Sequence, residues 1–151
     1  MAGTYNIKAI QGDDFSLFLE YQESNGTGFT LDLFSAQMQV RRSVIDPGYL
    51  LWISGSTLTE SVKHTRAVTG GGSTGEWTGN TGGVLGTGGI QLDVSSAGAS
   101  GTTGGILVTV GAATMVNVPI GRHHYDLEIN SGSSAHTIVR GAFEVEGKVT
   151  R

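Results

Sequence analysis

The chain reads as an all-β protein, an antiparallel β-sandwich of about seven or eight short strands, with a small closed barrel as the alternative. Three observations lead there. Apolar residues recur at every second position in one short run after another, which is the period of a strand with one buried face. No helical period lasts three turns, and no strand–helix–strand rhythm is visible. Glycine supplies 25 of 151 residues without a Gly-X-Y repeat, so turns and unusual loops are expected, not collagen.

"YNIKAI" and "FSLFLEY" open the chain. In the second, Phe15, Leu17, Leu19 and Tyr21 share one face, and Ser16, Phe18 and Glu20 share the other. Asn25-Gly26 tolerates the positive φ of a tight hairpin turn. Asn25-Gly26-Thr27 also fits a glycosylation acceptor, but "MAGTYNIKAI" lacks the basic start and apolar run of a secretory signal, so the turn is preferred. In "SAQMQVRR", Ala36, Met38 and Val40 alternate with Gln37, Gln39 and Arg41, giving a half-exposed strand. Asp46-Pro47-Gly48 marks a turn, and "YLLWIS" follows as an apolar strand with Trp52 expected to anchor the core.

Between Lys63 and Gly104 the character changes, because 25 of these 42 residues are Gly, Ser or Thr and only four are charged. Such composition ordinarily marks a flexible linker. Trp77, Val84, Leu85, Ile90, Leu92 and Val94 argue for anchors instead, so 63–104 is read as a long elaboration of a single domain spanning 1–151. It should hold one or two short strands, the best being "GIQLDV".

The core resumes with "GGILVTVG", where Ile106, Val108 and Val110 share a face. "AATMVNVP" has room for one helical turn before Pro119 stops it. "GRHHYDLEIN" gathers two histidines and two carboxylates, yet strand alternation splits them. His123, Tyr125, Leu127 and Ile129 point one way, and His124, Asp126 and Glu128 the other. After a turn at "NSGSSA", Val139, Phe143 and Val145 should face inward and Arg140 and Glu144 outward.

Composition narrows the function. With no cysteine, disulfides, thiolate metal sites and a cysteine nucleophile are excluded. Net charge is −4 and the basic residues are scattered, so nucleic acid is not an expected partner. No apolar run is long enough to span a membrane as a helix, and synthesis in the cytoplasm is expected. His124, Asp126 and Glu128 are metal-ligating types, but no second ligand pair at zinc-like spacing joins them, and neither a metal nor a cofactor is expected. Gly71-Gly72-Ser73-Thr74-Gly75 fits G-x-S-x-G without the strand and helix of a nucleophile elbow. Gly147-Lys148 is followed by Val149 where a phosphate loop needs a hydroxyl. Asp13-Asp14 reads as a turn or exposed edge, and His64 and His136 as residues in or beside loops. No nucleophile, base and orienting group can be assembled, so the expectation is a protein that is not an enzyme.

Tyr5, Gln11, Gly12 and Phe15, then Met38, Gln39 and Arg41, then Pro119, Gly121 and Tyr125-Asp126-Leu127-Glu128, and finally Gly141, Val145 and Val149-Thr150-Arg151 form a spaced pattern. In it the chain resembles a family of small virion proteins of tailed phages, common in phages of cyanobacteria. The likeness covers roughly 1–55 and 105–151. The glycine-rich middle is longer than the family's, and His123 stands where an aromatic or aliphatic residue is usual. The resemblance implies an immunoglobulin-like sandwich with a structural role in the virion, in the tail, baseplate or fibres or as a cement protein decorating the capsid. Partners would be other virion proteins, such as major capsid or tail proteins, and further copies of the chain, with a trimer favoured. The interface candidates are Trp77, Val84 and Leu85 in the middle segment, with Arg41, Asp126 and Glu128 on outward strand faces. The alternative is a host-glycan-binding module in which an exposed Trp77 stacks on a sugar.

Overall fold

A computed structural model of the chain describes residues 2–22, 26, 30–45, 48–64 and 84–149. It is a β-sandwich, as the alternating pattern predicts. The strands are β1 (Gly3–Thr4), β2 (Ile7–Ile10), β3 (Phe15–Glu20), β4 (Ser35–Arg41), β5 (Leu51–Ser56), β6 (Glu60–His64), β7 (Val84–Gly86), β8 (Gly88–Leu92), β9 (Gly105–Val110), β10 (Gly121–Ser131) and β11 (Ser134–Glu146). The single helical turn α1 (Ala112–Met115) falls where it was expected.

One sheet has the order β1-β11-β10-β4-β5-β6-β7, with β2 also on the β11 edge, and the other is β3-β9-β8. Lettered as an immunoglobulin domain, β11-β10-β4-β5-β6 takes the places of G, F, C, C′ and C″, and β3-β9-β8 those of B, E and D, the variable-type arrangement. The N-terminal strand lies wholly on the large sheet, where β1 and β2 run parallel to β11. Every other strand pair is antiparallel.

The strands number eleven among the described residues because the N-terminal strand is broken at Tyr5-Asn6 and because β6 and β7 extend the large sheet. Within 63–104, β7 and β8 are the short strands expected there, and β6 ends inside its start. Lys63 and His64 end β6 opposite Trp52 and Leu51, and β7 pairs with β6 in turn. His64 is therefore a buried strand residue, and His136 lies on β11. Residues 65–83 lie outside the described residues.

Met38, Val40, Leu51, Ile53, Leu127 and Phe143 from the large sheet meet Ile90, Ile106 and Val108 from the small one, all fully buried. Each such side chain contributes about 1.5–3 kcal/mol when removed from water. Phe143 sits at the centre, edge-on to Phe15 at 5.3 Å and to Tyr125 at 6.4 Å. The two sheets approach so closely at Gly55 that a Cβ there would lie 1.7 Å from the Ile90 carbonyl oxygen.

Two local expectations change, and a third is met in part. Trp52 does not anchor the core. It lies on the opposite face of β5 from Leu51 and Ile53, which are buried. Gly26 has the expected positive φ of 86°; Asn25 and the rest of that turn lie outside the described residues. "GIQLDV" ends as a strand at Leu92 because Asp93 turns to φ 57°. Its carboxylate accepts the Leu31 N–H at 3.1 Å and the Gly104 N–H at 3.0 Å, which ties the β8–β9 connection to the start of β4.

Candidate interface on the outer face of the large sheet

Strand parity places the functional candidates. In β10 the burial alternates, with His123, Tyr125, Leu127 and Ile129 inside and His124, Asp126 and Glu128 outside, so the polar cluster is split as its period requires. His123 is buried, and its Nε2 lies 2.7 Å from the Pro119 carbonyl, to which it donates as the neutral tautomer. Burial pushes its pKa below the ordinary 6.5, and Arg42 and His124 push the same way against that hydrogen bond.

Outside, β10 lies between β4 and β11. His124 stands opposite Arg41, Asp126 opposite Gln39, and Glu128 opposite Gln37. On the other side Asp126 faces Arg140, and Arg122 faces Glu144, with which it forms an exposed ion pair at 3.2 Å. Gln37 donates to Glu128 Oε1 at 3.0 Å, and the Arg41 guanidinium binds Gln39 Oε1. Two carboxylates thus sit in a row flanked by Arg41 and Arg140, around a shallow hollow of about 320 Å³. Partial burial raises the Asp126 pKa above 3.8 and the charge of Glu128 raises it further, while Arg41 and Arg140 oppose the rise.

A second hollow, of about 600 Å³, continues the face across β5 and β6 and shares Gln37 with the first. Trp52 forms part of its wall beside Ser54, Ser61 and Asn130. The indole is half-buried, edge-on to Tyr49 at 5.4 Å, with the Lys63 ammonium 5.4 Å from its ring centre. Its Nε1 is buried and has no hydrogen-bond partner among the described residues.

Of the interface candidates read from sequence, Arg41, Asp126 and Glu128 come together here. Val84 and Leu85 lie on β7, at the far end of the same sheet, and Trp77 is outside the described residues. Sequence reasoning set His124 on this face and Arg140 outward, but missed Trp52 and the register that brings Arg140 to Asp126. The signal for Trp52 was available, since it alternates with Leu51 and Ile53. Elsewhere the acidic pair serves the fold: Asp13 pairs with Lys148 at 2.6 Å, and Asp14 accepts the Ala112 N–H at 2.7 Å. Among the described residues, no three His, Asp or Glu side chains form a group able to hold a metal ion.

No protein-family model matches the chain, and no curated protein matches it. Among solved structures it is similar to a family 123 glycoside hydrolase from Clostridium perfringens, analysed for glycolipid glycan hydrolysis. The identity is 10% and the TM-score 0.34, over 99% of this chain but 24% of that one. A likeness at that level carries no argument about activity.

Proposed function

We propose that the chain is a non-enzymatic structural component of a tailed-phage particle, docking to neighbouring virion subunits through the outer face of β10 and β4. One observation carries this reading. Arg41, Asp126, Glu128 and Arg140 meet on the central strands of the large sheet, around a hollow. A rigid sheet holding charges of both signs in fixed register suits a partner of complementary charge, because such patterns steer encounter and set register more than they add affinity. The spaced resemblance of both ends of the chain to small virion proteins supports the same role.

The experiment is incorporation. Arg41→Glu and Glu128→Arg, alone and together, should remain folded but be lost from particles of the phage whose genome encodes this chain. Wild-type levels of incorporation for the double variant would refute docking through this face.

A second reading has its own observation. The half-buried Trp52, with an unpartnered Nε1 and Ser54, Ser61 and Asn130 beside it, offers a stacking surface bordered by hydrogen-bonding groups. That is the chemistry of a neutral glycan site, here at Trp52; Trp77 lies outside the described residues. Binding on a glycan array that Trp52→Ala abolishes would favour it.

A further inference from the structure

The three-stranded sheet begins with β3, which among the described residues pairs only with β9. The Tyr21 N–H donates to the Gly104 carbonyl at 2.7 Å, and Leu19, Leu17 and Phe15 continue that register opposite Ile106, Val108 and Val110. Backbone groups alternate in direction along an antiparallel strand. The N–H and C=O groups of Ser16, Phe18 and Glu20 therefore face away from β9, along the outer edge.

Natural sheets blunt such edges with lysine, proline, a bulge or an inward charge. "FSLFLE" has none of these, and its one charge, Glu20, stands at the end and outside. The sandwich is also open beside this strand. Leu17, Leu19 and Tyr21, on the core-facing side, are only half-buried, and a mostly apolar slot of about 200 Å³ opens among Leu19, Tyr21, Ile106, Ile138 and Val139, with Glu20 at its rim. Ile138 is the extra residue of a bulge in β11, between Thr137 and Val139.

We propose that β3 pairs antiparallel with the β3 of a second copy of this chain, about a twofold axis at Phe18, joining two three-stranded sheets into one. The side chains select that copy and that register. Phe18 meets Phe18, Leu17 meets Leu19 on the inner side, and Ser16 meets Glu20, so apolar faces apolar on both surfaces and no carboxylate meets another. Sliding the register by two residues one way sets Asp14 against Glu20, and the other way sets Phe18 against Glu20. Like charges directly opposite one another are destabilising, whereas aromatic pairs are favourable. The contact is isologous, so it joins chains in pairs, unlike the trimer expected from sequence. It is independent of the virion reading and uses the opposite sheet from the charged face.

The test is sedimentation of the full chain over a range of concentrations, with hydrogen exchange alongside. A dimer is expected, with the Ser16, Phe18 and Glu20 amides gaining protection as it forms and those of Leu17 and Leu19 protected throughout. Phe18→Lys should weaken association by more than about tenfold, since it sets two like charges opposite each other and removes the aromatic contact. The chain lacks cysteine, so a single one reports geometry. Phe18→Cys should form a disulfide-linked dimer under mild oxidation, whereas Ser16→Cys, opposite Glu20, should not. A chain that stays monomeric at all concentrations overturns the proposal. So does a dimer that keeps its affinity in a folded Phe18→Lys variant, or that cross-links equally through Ser16→Cys.

Discussion

The Tyr125 hydroxyl donates to the Tyr5 carbonyl at 2.6 Å, a bond between residues 120 positions apart that pins the break between β1 and β2 against the large sheet. Asn6 completes the clasp, its Oδ1 accepting the Ala142 N–H at 3.1 Å. Burial, with a smaller contribution from Tyr5, pushes the Tyr125 pKa up to about 12, so the phenol stays a donor through the working pH range.

Removing that donor should loosen the N-terminal strand. Tyr125→Phe is expected to cost about 1 kcal/mol, the usual net value of such a bond, read as a shift in the denaturation midpoint. Gly141→Ala should cost more, about 2–3 kcal/mol, because its Cβ would lie 2.2 Å from the same Tyr5 oxygen and backbone must move to admit it.

Asp93 tests whether the β8–β9 connection holds the loop before β4. Asp93→Ala should cost about 2 kcal/mol, since it strands the Leu31 and Gly104 N–H groups and puts alanine at positive φ. Asp93→Asn should cost less, because asparagine tolerates that backbone and keeps one acceptor. Chemical denaturation of both variants measures the difference.

His123 predicts a pH dependence with a definite sign. Its folded pKa lies below 6.5, so as pH falls past that value the unfolded chain takes up a proton that the folded chain refuses. Stability should therefore decline from pH 7 toward pH 5 and level off below the folded pKa. His123→Phe should flatten this part of the profile in denaturation midpoints taken across the range.

Asp126 carries the opposite sign. Its folded pKa is raised above 3.8, so the folded state loses stability as pH rises through that window, and the ionised carboxylate is a burden at neutral pH. Asp126→Asn should raise stability at pH 7 by less than about 0.5 kcal/mol, since the carboxylate is only partly buried and solvent screens it, and leave it unchanged at pH 3. The same variant should incorporate poorly into particles, as expected where a binding surface is kept at some expense to stability.

Strand parity was the most readable feature of the sequence. It separated His123 from His124 and Asp126, set Ala36, Met38 and Val40 inward, and put Val139, Phe143 and Val145 on the core side. Trp52 was misplaced because its hydrophobicity was allowed to outweigh its parity with Leu51 and Ile53. β6 was missed for a different reason. "ESVKH" is short and carries a weak local preference, and β5 supplies the hydrogen-bonding edge on which it forms. Arg140 reaches Asp126 through the β10–β11 register, and the bulge at Ile138 shifts that register in a way no local pattern announces.

The measurement that bears most directly on the proposed role is high-resolution imaging of purified particles of the tailed phage that the proposal takes to encode the chain. The account predicts density for this chain at regular sites, with Asp126 and Glu128 of β10 against an adjoining subunit. Particles that lack the chain, or that hold it with this face turned to solvent, would contradict the account.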